Sequence, residues 1–283
     1  MHDPLAAADP SPPTRQRSNG RVHLRAGPAV AGGATRILDL AEAGPARLRF
    51  PRGEGPLEAV LVNTAGGVAC GDSFTIALDL EPAGDLTLTT TAAEKIYRSD
   101  GPVSRIENRL SLGAGARLAW LPQETILFDQ ARICRSFEAD LAPAAALLAV
   151  EIVAFGRVAR GERLTAGLFS DSWRVRRAGR LIYADTFRIE GPISDLLARP
   201  AIGGGARACA TLLDVSEGAE ARLDEARALL AAADQPGIEA AASAWNGHLV
   251  IRILAQAVGP LRAVTARFLT PYGGRPMPRV WQC

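Results

Sequence analysis

From Val22 onward the chain alternates apolar and polar positions with the two-residue period of half-buried strands. Val22 with Leu24, Arg47-Leu48-Arg49-Phe50, and Leu57 to Asn63 read as the first of them. Between residues 74 and 150 the alternation becomes an internal repeat. Leu78 to Leu88, Leu110 to Trp120 and Ala139 to Ala149 each carry a strand ending on Leu, then a turn of small, Pro or Gly residues. A second Leu follows six positions later, giving the pairs 80/86, 112/118 and 141/147. Each copy reads as a hairpin-like corner. Trp173 to Tyr183 continues the theme around Ala178-Gly179. A recurrence of roughly thirty residues in an all-β stretch predicts a stacked, β-solenoid-like or wrapped-sheet body.

Beyond about residue 205 the texture changes. Ala208 to Leu213 is a short apolar strand. Ala219 to Ala233 places Leu223, Ala226, Leu229 and Leu230 at helical spacing and stops at Asp234-Gln235-Pro236-Gly237. Two strands flank Asn246-Gly247, a strong two-residue hairpin signal. A second helix over Leu261 to Leu269 is entered through Gly259-Pro260. The chain is therefore expected to be mainly β, with a disordered Pro- and Ala-rich arm over 1–20 and an all-β body over 21–205. A small C-terminal α+β subdomain over 206–283 should pack on that body.

Composition narrows the function. The 283 residues hold 32 basic and 30 acidic side chains, a formal charge of +2, too even for a dedicated nucleic-acid binder. Lys95 is the single lysine. Three histidines (2, 23 and 248) and four cysteines (70, 134, 209 and 283) are scattered, so the spacings of zinc, haem and iron–sulfur sites are absent. No signal peptide or membrane span is expected, and isolated thiols suit a reduced, cytoplasmic setting.

Four segments are dense in chemistry. Asn63-Thr64-Ala65-Gly66-Gly67 runs on to Gly71-Asp72 without the ending of a phosphate-binding loop. Glu94-Lys95-Ile96-Tyr97-Arg98 sets a carboxylate beside the lone lysine. Trp120-Leu121-Pro122-Gln123-Glu124 leads to Phe128-Asp129, and Glu124 with Asp129 admits a glycosidase-like carboxylate pair. Glu151 interrupts the apolar run from Leu147 to Phe155, and Asp185 stands in a similar strand. A carboxylate in an apolar strand lies either at an edge or in a buried, functional place, because unpaired burial is costly. Trp245, Arg279 and Trp281 offer the aromatic and arginine anchors common at protein interfaces.

These segments, with Phe155-Gly156-Arg157 and Pro278-Arg279-Val280-Trp281, occur in order from about Arg21 to Trp281. Together they resemble the UreD (UreH) urease accessory family; Cys70 stands where the family usually has a small residue. The resemblance implies a mostly β, non-enzymatic maturation factor that binds apo-urease and the accessory protein UreF, and through UreF the GTPase UreG. It implies delivery of nickel to the urease active site through an internal passage lined partly by acidic residues, with nickel in transit and no resident cofactor. By motif position Asp72, Glu151 and Asp185 match acidic positions of that passage; Glu94, Glu124 and Glu162 are further candidates by chemistry alone. Carboxylates hold Ni²⁺ less tightly than imidazole or thiolate sets, and a conduit needs several weak stations in succession. Partners would include neither nucleic acid nor membrane. The alternatives are an all-β hydrolase using Glu124 and Asp129, and a generic β-solenoid binding module.

Overall fold

The computed structural model describes residues 17–30, 32–53 and 55–281. In chain order it forms β1 (Asn19–Pro28), β2 (Thr35–Ala43), β3 (Ala46–Arg49), β4 (Leu57–Asn63), β5 (Ser73–Leu80), β6 (Asp85–Thr90) and β7 (Glu94–Ile96). There follow β8 (Ser104–Leu112), β9 (Arg117–Leu121), β10 (Thr125–Leu127), β11 (Arg132–Leu141), β12 (Ala146–Phe155), β13 (Leu168–Arg177) and β14 (Arg180–Glu190). The rest comprises α1 (Ile193–Leu197), β15 (Ala208–Asp214), α2 (Leu223–Ala233), β16 (Ile238–Trp245), β17 (His248–Ala255) and α3 (Val258–Tyr272).

The strands make two sheets. One runs β14-β13-β11-β8-β5-β1-β2; the other runs β16-β17-β15-β12-β9-β6-β4-β3, with β10 and β7 joined to it through β12. The solenoid-like body is therefore present, and the repeat explains its winding. The corners are not hairpins: β5, β8 and β11 lie parallel in the first sheet, whereas β6, β9 and β12 lie parallel in the second. Each Leu pair thus carries the chain from one sheet to the other. Both leucines point into the space between the sheets, which is why they recur together.

Successive corners stack by backbone hydrogen bonds. Gly113 N–H donates to the Leu80 carbonyl, Ala142 N–H to Leu112, and Ala178 N–H to Leu141. The middle residue of each corner takes a left-handed φ: 58° at Ala83, 66° at Gly115 and 58° at Ala144. Gly113 is required for another reason. A Cβ there would lie 2.6 Å from the Pro82 nitrogen in the corner below. The Ala178-Gly179 and Asn246-Gly247 turns are true two-residue hairpins, positive in φ at both residues, as their right-handed strand twist demands.

The segment expected as an α+β subdomain supplies β15, β17 and β16, which extend the second sheet antiparallel from β12. Leu212, Ile251 and Ile253 on its outer face are covered by Leu261, Val264 and Phe268 of α3 and by Leu230 of α2. The result is three layers: sheet, sheet and helices. The sequence reading passed over β2, because nearly every one of its positions is exposed and it shows no burial alternation. The expected arm lies outside the described residues as far as position 16, and β1 already begins at Asn19.

The corner geometry makes a graded prediction. Gly113→Ala should destabilise the fold by about 2–3 kcal/mol, because two stacked corners must separate. Gly115→Ala, with open space around it, should cost only about 1 kcal/mol for the left-handed backbone. Urea denaturation of the two variants checks the order.

Candidate functional site

The dense sequence segments, far apart along the chain, meet at one end of the second sheet. Val68 N–H donates to the Lys95 carbonyl, and Glu94 N–H to that of Glu124. Thr125 sits in register between Glu94 and Val153, and Leu127 between Ile96 and Phe155. Tyr97 packs edge-on against Phe128, and the Arg157 guanidinium lies 4.2 Å from the Phe128 ring centre. The C-terminal segment straps the same region. Gln123 Nε2 donates to the Val280 carbonyl at 2.8 Å, and Trp281 Nε1 to that of Leu121 at 3.0 Å.

Between the sheets, inward from this end, lies a charged cluster. Inward positions of β11 read Ile133, Arg135, Phe137 and Ala139, so one arginine replaces an apolar residue. On β13 the matching series is Phe169, Asp171, Trp173 and Val175. Arg135 and Asp171 are register partners, and Glu151 faces them from β12 in the other sheet. All three are buried. Arg135 donates from Nε and Nη2 to the two Asp171 oxygens at 3.0 and 2.7 Å, and from Nη1 to Glu151 Oε2 at 2.5 Å and Thr125 Oγ1 at 3.2 Å. Trp120 Nε1 donates to Glu151 Oε1 at 3.1 Å, and Trp173 Nε1 to Asp171 Oδ2 at 3.0 Å. The cluster is one cation between two carboxylates, with each carboxylate also held by an indole.

A cavity of about 60 Å³ reaches this cluster, room for more than one water by the roughly 10–15 Å³ that each needs. Half-buried Asn63 and Glu94 line it together with Trp120, Thr125, Arg135 and Glu151. Burial pushes the Glu94 carboxyl up to about 7, against the opposing hydrogen bond from Asn63 Nδ2. Burial likewise raises the Glu151 carboxyl above its ordinary value, with Arg135 opposing and Asp171 adding to the rise. Burial works against the Arg135 charge, but Asp171 and Glu151 together more than offset it and hold its pKa above the ordinary arginine value. Beyond the cluster, Thr211 links Glu151 in register to Arg252. Arg252 Nη2 donates to Asp185 Oδ2 at 2.8 Å, at the sandwich edge where β14 and β16 end the two sheets. Cys209, whose thiol burial raises to about 12, lies on the inner face of β15. A polar seam thus starts at half-buried Glu94, passes through buried Glu151, Arg135 and Asp171, and points toward the exposed Arg252 and half-buried Asp185 at the sandwich edge.

Of the residues singled out in the sequence, Glu94, Glu151 and Asp185 fall on this seam. Asp72 does not. Its carboxylate accepts from Ser18 N–H at 2.7 Å and Ala69 N–H at 2.8 Å and closes the turn into β5. Glu162 is bound to Arg157, whose hydrogen bond pulls its pKa down to about 2. Glu124 lies 3.8 Å from Arg262 on α3, and Asp129 accepts from the backbone and hydroxyl of Thr165. Glu124 and Asp129 thus have separate polar neighbours. Trp281 is buried against Leu121, Arg279 is exposed, and Trp245 is half exposed with its ring on His248. Lys95 is exposed, and the Cys70 thiol donates to Asp100 at 2.8 Å. Among the described residues no three His, Cys, Asp or Glu side chains converge as a metal-holding group. No described helix is long and apolar enough to cross a membrane. Sequence reasoning missed Arg135, Asp171 and Arg252. Their signal was present: each is a charge at the inward parity of a strand whose neighbours of that parity are largely apolar.

Comparison with known proteins covers nearly the same span as this architecture. The family profile described as UreD urease accessory protein matches residues 18–282. A protein of Methylobacterium radiotolerans named urease accessory protein UreD 1 is 74% identical over 288 aligned positions, covering 100% of both chains. Urease accessory protein UreD 3 of Methylorubrum extorquens is 62% identical, covering 99% of this chain and 95% of its own. Urease accessory protein UreD of Xanthobacter autotrophicus is 53% identical with the same coverage.

The raised Glu94 pKa has a stability consequence with a definite sign. A carboxyl whose folded pKa lies above its unfolded value contributes fully below about 4.5 and loses that contribution as pH rises through about 7. Glu94→Gln should therefore be more stable than wild type at pH 8 by an amount on the order of 2–3 kcal/mol. The two should converge near pH 4.5, as read by denaturant melts across that window.

Proposed function

Given that the chain belongs to the UreD urease accessory protein family, we propose that it acts in urease maturation as a non-enzymatic scaffold and a route for nickel. In this reading it binds apo-urease and UreF, engages UreG through UreF, and passes Ni²⁺ along the seam between its sheets. The carrying observation is the cavity that joins half-buried Glu94 to the buried Glu151, Arg135 and Asp171 cluster within an otherwise apolar sandwich.

The chemistry suits passage. Carboxylates attract a divalent cation without the grip of imidazole or thiolate. Stations at Glu94, Glu151 and Asp185 would divide the crossing into short steps, so that each is entered and left. The rigid two-sheet frame keeps their spacing. The stacked end formed by the 63–67, 94–98, 120–128 and 278–281 segments supplies a firm rim to the cavity. No resident cofactor is needed for this role.

Glu94→Gln, Glu151→Gln and Asp185→Asn, alone and combined, should lower urease activation severalfold in cells that co-express urease and its accessory proteins. Co-purification of the chain with urease should stay intact. Normal activation by the triple variant would overturn the route, while loss of co-purification would turn attention to a structural role.

A further inference from the structure

The cluster has a feature that an acid-lined route does not by itself require: a buried arginine at its centre. Arg135 uses three nitrogens on two carboxylates, and its Cζ also lies 5.7 Å from the Phe169 ring centre. Without it, Glu151 and Asp171 would be two carboxylates facing each other in a low-dielectric interior. That is a strong attractor for a divalent cation, because charge interactions grow as solvent is excluded. With Arg135 in place, one of the two negative charges is balanced on the spot and the carboxylate oxygens are already engaged by N–H donors.

We infer that Arg135 is the residue that prevents a divalent cation from lodging at the centre of the seam. It is a positioning and specificity-determining residue: the resident counter-ion that keeps this station weak, so that cargo crosses it rather than stays. The idea rests on the nickel-route reading and deepens it. Geometry supports it in two ways. The guanidinium bridges the sheets, from β11 to β12, so it stands across the seam rather than beside it. Both carboxylates keep an indole donor of their own, Trp120 for Glu151 and Trp173 for Asp171. These would hold the carboxylates in place when the arginine is removed.

The test is metal retention by the purified full chain. Arg135→Gln is loaded with Ni²⁺, desalted and assayed by mass spectrometry of the metal. It should retain nickel with an affinity at least about tenfold above wild type, and the gain should vanish in the isosteric R135Q/E151Q/D171N variant. Cellular urease activation should fall as retention rises, an inverse relation that mere loss of structure does not produce. Equal retention by folded Arg135→Gln and wild type overturns the inference, as does retention that survives in the triple variant. Should Arg135→Gln fail to fold, Arg135→Met takes its place. It removes the charge while filling apolar volume between the sheets, so it should retain more nickel than wild type, and equality with wild type again overturns the inference. The route itself is judged separately. If Glu151→Gln activates urease normally the route falls, whereas a negative retention result with impaired Glu151→Gln leaves the route standing without an arginine guard.

Discussion

A guanidinium held between two carboxylates in the middle of an apolar sandwich is the interaction on which the other features turn. Desolvating three charges is expensive, and such a cluster persists only when its polar atoms are met. Here Arg135, Glu151 and Asp171 meet one another, and Trp120, Trp173 and Thr125 supply the remaining partners. The aromatic residues therefore do two jobs. Phe137 stacks on Trp173 with centroids 4.6 Å apart and meets Trp120 edge-on, so the rings that fill the core also fix the donors that hold the charges. Any displacement between the sheets would break both at once.

The winding of the chain makes that cluster possible. Cross-sheet corners place β11 and β12 in opposite sheets although only four residues separate them. Arg135 and Glu151 can then face each other across the interior. A hairpin would have set them side by side in one sheet. The same winding brings segments from residue 63 to residue 281 into a single stacked end, from which the cavity runs inward. Fold, rim and seam thus have one origin, the alternation of parallel strands between two sheets.

Much of this was legible in the residues. The Leu pairs disclosed the solenoid, Asn246-Gly247 the last hairpin, the Ala- and Leu-rich spacing of residues 219–233 one main helix, and the Gly259-Pro260 entry the other. Glu151 drew notice because it breaks an apolar run. What stayed hidden had physical reasons. A corner and a hairpin share the same local turn residues, so pairing of β5 with β8 rather than β6 is decided by the distant core. β2 buries too little to show a period. Arg135 and Asp171 lie in strands whose outward positions are polar as well, and only the parity of Ile133, Phe137, Phe169 and Trp173 marks them as inward. Asp72 shows the converse: its place in a tight turn, with backbone N–H groups as partners, is not disclosed by its motif position.

The central claim is that divalent cargo enters the space between the sheets. Diffraction at the nickel absorption edge, from crystals of the chain grown with Ni²⁺, tests it most directly. Anomalous density is expected inside the cavity beside Glu94 and Asn63. Nickel density confined to the outer surface at saturating Ni²⁺, with none in the cavity, would contradict it.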